Sequence, residues 1–365
     1  FSTLYDDGGR SAQVEISHKL INETGKTVKA AITSSLTAPT GRKVLEVSSL
    51  VELEPGRPET VVLSGSVQDP RLWSPENPAL YTLVTELSVD GAAPYRVYEG
   101  LVGIRSFRFD PDEGFFLNGR SMKLKGVCVH HDAGCLGAAV TREVWERRLL
   151  SLKEMGCNAI RTSHNPHMPE LYDLCDSLGF LMMDEAFDEW ENAKNKWSTG
   201  HNVYPPKHQG YFEDFPEWHE KDLAAMVLRD RNHPSVILWS IGNEIDYPND
   251  PYCHPLFTEM TGNNDANKPA AERQYNPDKL NMERLAPIAA GLAGIVRRHD
   301  TTRPVTLAAA FPELSSRLHY FDALDVVGYN YKEHLYEEDH RRFPSLPFLG
   351  SENGHSLEAW RTVTN

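Results

Sequence analysis

Two glutamates close apolar runs. Glu244 follows Val236-Ile237-Leu238-Trp239-Ser240-Ile241-Gly242-Asn243, and Glu352 follows Pro347-Phe348-Leu349-Gly350-Ser351. Two such carboxyl groups facing each other over one sugar ring can cleave a glycosidic bond. One protonates the leaving oxygen, and the other attacks the anomeric carbon or activates water. A separation of about 5 Å gives retention of configuration and a wider gap gives inversion. The acid has to stay protonated near neutral pH; burial beside Trp239, together with the second negative charge, would push its pKa in that direction. A lone strand-end glutamate is ordinarily just a solvated charge. Two of them, ending comparable runs in a repeating pattern, favour catalysis.

The elements that must position them begin near Gly114. From there, solid apolar runs alternate with helical stretches. The strand candidates are 123–130, 158–163, 180–185, 236–241, 304–308, 324–330 and 347–352. Unbroken apolar runs are what parallel strands covered on both faces look like. A helix is expected over 141–155, with Trp145, Leu149 and Leu152 on one face, Thr141 as its cap and Gly156 at its end. A second is expected over 282–298, through Leu285, Ile288, Leu292 and Ile295. This alternation predicts an α/β (β/α)8 TIM barrel lacking its final unit, because too little chain follows Glu352 for another strand and helix. An open doubly wound sheet would need a glycine-rich phosphate turn after its first strand, and none is there. In a TIM barrel, chemistry gathers at the C-terminal ends of the strands. Those ends read His130-His131-Asp132, Arg161-Thr162-Ser163-His164, Asp184-Glu185, Asn243-Glu244, Tyr329-Asn330-Tyr331 and Ser351-Glu352-Asn353; only the fifth lacks polar groups.

Residues 12 to 110 read differently. Apolar side chains recur with period two at Val14, Ile16 and Leu20, at Val28, Ala30 and Ile32, at Leu45, Val47 and Val51, and at Leu83, Leu87 and Val89. Turn formers at Thr24-Gly25, Thr40-Gly41, Pro55-Gly56 and Asp90-Gly91 separate the runs. The pattern predicts an all-β immunoglobulin-like sandwich of about seven strands. The domains are therefore 1–110, the sandwich, and 111–365, a catalytic barrel incomplete at its C-terminus.

Composition excludes several classes. A net charge of -15 argues against nucleic acid as a partner. No apolar run approaches the roughly 18 residues of a membrane helix. The five cysteines fall at irregular spacings and are expected to be free thiols. That leans toward a reducing compartment without deciding between a cytoplasmic and an exported protein. Asn22-Glu23-Thr24 is a formal glycosylation sequon, best read as a turn. No serine-nucleophile elbow and no P-loop is present.

The runs KGVCVHHD, NAIRTSHNP, LCDSLGFLMMDEAFDEW, DRNHPSVILWSIGNE, DVVGYNY and FLGSEN, preceded by GLVGIRSF and FFLNGR, resemble glycoside hydrolase family 2 along the whole chain. That family includes β-galactosidases, β-glucuronidases and β-mannosidases. The resemblance implies a retaining exo-β-glycosidase working by double displacement through a covalent glycosyl-enzyme intermediate. β-Galactosides are the expected substrates, glucuronides and mannosides the alternatives, and a non-catalytic carbohydrate-binding fragment the rival from another class. By position, Glu244 matches the acid/base and Glu352 the nucleophile. Asn243 would bond the sugar 2-hydroxyl, Tyr331 would stand beside the nucleophile, and Arg161 would hold it ionised. His130, His164 and Asp184 would line the sugar subsite, while Tyr329 would belong to the core.

The departures from the family pattern carry expectations too. No cofactor is required. A Mg²⁺ site through Glu189 and Glu244 is conceivable, but Glu189-Trp190-Glu191 lacks the histidine of the metal-dependent members' Glu-x-His. Asn192-Ala193-Lys194 has the letters of the glucuronidases' Asn-x-Lys in a different place. The family's N-terminal jelly-roll domain and tryptophan-bearing eighth strand are not in the chain. A homo-oligomer, or further parts of the chain, would complete the protein.

Overall fold

The computed structural model describes residues 1–5, 10–198, 210–260 and 273–364. Seven strands open the chain: β1 (Ser2–Tyr5), β2 (Ser11–Ile21), β3 (Val28–Thr37), β4 (Lys43–Leu53), β5 (Pro58–Gln68), β6 (Leu80–Val89) and β7 (Tyr95–Gly103). They form two antiparallel sheets, ordered β1-β2-β5 and β4-β3-β6-β7. The period-two pattern sends Ala12, Val14, Ile16 and Leu63 from the first sheet against Ile32, Leu36, Leu83 and Val102 from the second. Asn22 is buried in the β2–β3 turn, where its Nδ2 donates to the carbonyls of Lys26 at 2.9 Å and Leu53 at 2.8 Å. The sequon asparagine is thus a turn device whose amide nitrogen is already used.

Three short strands follow: β8 (Phe107–Asp110), β9 (Gly114–Leu117) and β10 (Arg120–Ser121), paired antiparallel. The expected boundary at 110/111 falls in the turn between β8 and β9. Phe107, Phe109, Phe115 and Leu117 of this sheet pack with Ala159, Leu181, Leu238 and Val326. They plug the N-terminal end of the barrel. The sandwich is tied to the barrel by Trp73, whose Nε1 donates to the Asp176 carbonyl at 2.8 Å, and by Arg105, whose Nη2 donates to the Val236 carbonyl at 2.7 Å.

The barrel strands are β11 (Gly126–His130), β12 (Ala159–Ser163), β13 (Leu181–Glu185) and β14 (Val236–Asn243). After a two-residue parallel pair, β15 (Tyr252–Cys253) with β16 (Leu280–Asn281), come β17 (Val305–Ala309), β18 (Val327–Asn330) and β19 (Phe348–Glu352). All seven barrel strands pair in parallel in the order β11-β12-β13-β14-β17-β18-β19. Helices α1 (Arg142–Glu154), α2 (Pro169–Leu178), α3 (Asn195–Ser198), α4 (Phe215–Asp230), α5 (Leu285–His299), α6 (Pro312–Ser315), α7 (Tyr336–Arg342) and α8 (Leu357–Thr364) lie between and after them.

This is the partial TIM barrel expected. The five inner strands are buried throughout, whereas β11 and β19 are partly exposed because nothing described pairs with their outer edges. The sheet curls far enough that the Cys128 thiol on β11 reaches the Ser351 carbonyl on β19 at 3.4 Å. All five cysteines are free, as expected. One local expectation fails: Thr141 has the extended backbone of an N-cap, but its hydroxyl makes no cap hydrogen bond.

Strand parity sorts the side chains. Ile160, Met182, Trp239, Leu307 and Tyr329 point outward into the core under the helices. Ala159, Leu181, Leu238 and Val326 point inward at the bottom. Two or four residues further along the same inward faces come Arg161, Glu185, Ser240 and Asn330. The inner wall thus changes from apolar to polar toward the C-terminal end.

Candidate active site

Arg161 is the centre of that polar layer. Its side chain is 4% exposed, and its guanidinium is used on every edge. Nε and Nη2 clasp Glu185, with bonds of 2.9 Å and 2.7 Å to Oε2 and 3.0 Å to Oε1. Nη1 donates to Glu352 Oε1 at 2.7 Å, and Nη2 donates to Asn243 Oδ1 at 2.9 Å. Glu185, fully buried, also accepts from Ser240 Oγ at 2.7 Å and from His164 Nδ1 at 2.8 Å. Burial pushes its carboxyl up, but Arg161, His164 and Ser240 together override this and hold it below the usual carboxylate range. A fully paired buried arginine is locked in place, so its Nη1 presents a fixed donor to Glu352.

Glu352 receives a second donor from the other side, the Tyr331 hydroxyl, at 2.8 Å to Oε2. Burial, the hydrogen bond to Glu352, and the charges of both Glu352 and Glu244 push the Tyr331 phenol well up. Both carboxylates therefore act on one phenol. Glu244 accepts from Asn330 Nδ2 at 3.1 Å, and the same amide nitrogen donates to Asn243 Oδ1 at 3.1 Å. The Asn330 carbonyl oxygen in turn accepts from Ser351 Oγ at 2.7 Å. A continuous hydrogen-bonded path thus runs from Glu352 through Arg161, Asn243 and Asn330 to Glu244. His164 stands beside it with Nε2 at 3.8 Å from Glu352 Oε1, and His130 lies edge-on to His164 at 5.3 Å. Burial and the neighbouring His164 lower the His130 pKa.

The structure brings Glu244, Glu352, Asn243, Arg161, Tyr331, His164 and His130 to one end of the barrel. Asp184 is not among them. It points outward, is fully buried, and accepts from the Tyr172 hydroxyl at 2.7 Å and from Thr162 Oγ1 at 3.2 Å, behind the sheet under α2 and α4. Its neighbour Glu185 has the inward parity and takes the place expected of it. Trp239 is a second correction. It is next to the inward-facing Ser240 and so faces the helices, where Nε1 donates to Asp300 Oδ2 at 3.0 Å; it does not shield the acid/base candidate. Tyr329 is buried, with its hydroxyl on Asp339 Oδ2 at 2.8 Å.

Glu189, named for the conceivable Mg²⁺ site, is engaged by the backbone around it. Its two oxygens accept backbone N–H groups, from Lys194 at 3.2 Å and from Phe212 at 3.3 Å. Among the described residues no three His, Cys, Asp or Glu side chains are grouped to hold a metal ion. The sequence reading missed Glu185, Asn330, Asp188 and Lys194. Glu185 and Asn330 were within the quoted strand ends, and counting parity back from the apolar inward residues would have selected them.

Two models of glycosyl hydrolases family 2 match the chain, one over residues 2–105 and the TIM barrel domain over residues 111–279. The chain belongs to glycoside hydrolase family 2. It is 40% identical over 354 residues to "Beta-galactosidase BoGH2A" of Bacteroides ovatus, a match covering 95% of this chain and 39% of that protein. It is 42% identical over 178 residues to a "Putative beta-glucuronidase" of Formosa agariphila, covering 49% of this chain and 16% of that one. Among solved structures it superposes on a family 2 member from Bacteroides cellulosilyticus with a TM-score of 0.79 and 33% identity, over 100% of this chain and 43% of that one. The chain thus spans less than half the length of these family 2 relatives. Among its described residues no helix is long and apolar enough to cross a membrane.

Proposed function

We propose that this chain is the catalytic part of a retaining exo-β-glycosidase acting on terminal β-galactosides, with Glu352 as nucleophile and Glu244 as acid/base. The observation that carries the reading is the unequal surroundings of the two carboxylates. Glu352 is paired with the fixed Arg161 charge and a phenol donor. These are the surroundings of a carboxylate that attacks. The side-chain partner of Glu244 is the neutral amide of Asn330. A group that must take up and release a proton is served by such a partner. In the first displacement Glu352 would bond to the anomeric carbon while Glu244 protonates the departing oxygen. In the second, Glu244 would take a proton from water as that water displaces Glu352.

A neutral sugar is supported by where the cations are. At the described strand ends Arg161 pairs with Glu185 and Glu352, Lys194 and Lys196 pair with Asp188, and Lys332 pairs with Glu313. Each is matched by a carboxylate, so a uronate would have to compete for it. The similarity to a β-galactosidase along nearly the whole chain points the same way.

The test is hydrolysis of 4-nitrophenyl β-galactoside, with the glucuronide and mannoside beside it, followed by NMR of the first-formed anomer. Glu352→Gln should lower kcat by about 10⁴-fold or more. Equal rates for variant and wild type, or an α-configured first product, would refute the mechanism. Preference for the glucuronide or the mannoside would refute the substrate alone.

A further inference from the structure

Lys194 is a buried ammonium inside the site, in a stretch set aside on sequence grounds. Its side chain is 5% exposed. Nζ donates to the backbone carbonyl of Asn243 at 2.6 Å and to Asp188 Oδ1 at 3.1 Å. Asp188 is shared: its Oδ1 also accepts from Asn243 Nδ2 at 3.0 Å, and its Oδ2 pairs with Lys196. The loop that delivers Lys194 is fixed at its root, because the Lys194 N–H donates to Glu189 Oε2 at 3.2 Å.

The peptide bond between Asn243 and Glu244 is thereby held at both polar ends. Its carbonyl is taken by Lys194, and its N–H, that of Glu244, donates to the Ala308 carbonyl at 2.7 Å. Glu244 itself has φ +49°, the left-handed region, which is strained for a residue with a Cβ. A strand continued in ordinary extended geometry would carry the Glu244 carboxylate elsewhere. The strained turn persists because its peptide plane is pinned, and Lys194 is the charged half of the pin.

Resting on the reading of Glu244 as acid/base, we propose that Lys194, held by Asp188, is a positioning residue that orients the Asn243–Glu244 peptide and so aims the acid/base carboxyl at the leaving oxygen. Removing it misaims proton delivery and leaves the nucleophile's clamp of Arg161 and Tyr331 intact. The signature is a dependence on the leaving group. An aglycone that departs without protonation does not need an aimed acid; an alkyl aglycone does.

The experiment measures kcat/KM, which reports the first displacement, for a dinitrophenyl and an alkyl β-glycoside of the preferred sugar. It compares wild type, Lys194→Met, Asp188→Asn and Glu244→Gln in the full-length protein. Lys194→Met should lower kcat/KM for the alkyl glycoside roughly 100-fold while the dinitrophenyl glycoside stays within about threefold. Asp188→Asn, which keeps the shape and removes the charge holding Lys194, should show the same split to a smaller extent, and it carries the test alone should Lys194→Met not fold. Equal losses on both substrates, or no loss on either, overturns the proposal. Glu244→Gln separates the two failures: if it does not distinguish the aglycones, the acid/base reading is wrong; if it does and the Lys194 and Asp188 variants do not, the positioning role is wrong.

Discussion

Tyr331 holds Glu352 from both ends. Its backbone N–H donates to the Glu352 carbonyl at 2.7 Å, and its hydroxyl donates to the Glu352 carboxylate at 2.8 Å. The φ of +57° at Tyr331 makes this double approach possible, turning the chain at the end of β18 so that the ring folds over the end of β19. Tyr331→Phe keeps the ring and removes one donor to the Glu352 carboxylate, the proposed nucleophile. A hydrogen bond to a charged group contributes about 1.5–3 kcal/mol, so kcat should fall roughly 10- to 100-fold. Steady-state kinetics on the nitrophenyl substrate checks this; an unchanged kcat would show that the Arg161 bond alone holds Glu352.

Glu185 should matter twice, for stability and for activity. It is fully buried and clasps the arginine that holds Glu352, so Glu185→Gln leaves the buried guanidinium with only Glu352, on its Nη1, as a charged partner. Breaking a buried pair from one side costs about 3–5 kcal/mol. The pH dependence follows from the direction of its shift. Its carboxyl is held below the ordinary range, so its stabilising contribution is complete above the unfolded pKa and disappears as pH falls through the lower folded value. Denaturant melts of variant and wild type should therefore differ most at neutral pH and converge on acidification below about pH 4. A gap that does not change with pH would show that the pairing is not electrostatic.

Asp184 is expected to behave in the opposite way. Burial, and then the charge of Asp230, push its carboxyl well above the ordinary range. A raised carboxyl contributes stability that is present below the unfolded pKa and is lost as pH rises through the folded value. Asp184→Asn removes that titration, so the variant should gain on wild type as pH rises from about 4. Activity should stay within about threefold, since the side chain lies behind the sheet. A larger loss of activity would restore Asp184 to the site.

These two neighbours show how far the sequence could be read. The solid runs and their breakers gave the strands, because burial on both faces leaves a composition that survives without coordinates. Glu244 and Glu352 stood out as carboxylates that end such runs. What failed was the choice between adjacent residues. Asp184 and Glu185 differ only in parity, and parity is settled by which strand residues meet the β8–β9 plug. Asp188 and Lys194 were invisible for another reason: each acts through partners on different strands or loops, and no local pattern marks such a contact. The loop Asp188–Lys194 reads as an ordinary charged stretch until its ammonium is seen on the Asn243 carbonyl.

Asn330 offers a test that probes both carboxylates at once. Its Nδ2 donates to Glu244 at 3.1 Å, and its Oδ1 takes the hydroxyl of Ser351, the residue before Glu352. Asn330→Asp preserves the shape, removes the donor and places a third negative charge between the two catalytic candidates. Asn330→Ala removes the donor without adding a charge. Losing a hydrogen bond to a charged group should lower kcat/KM roughly 10-fold in Asn330→Ala, and the added repulsion should make the loss in Asn330→Asp larger still. Steady-state kinetics on the nitrophenyl substrate separates the two variants. Equal losses in both would mean that Asn330 acts through packing and not through its charge-neutral contact with Glu244.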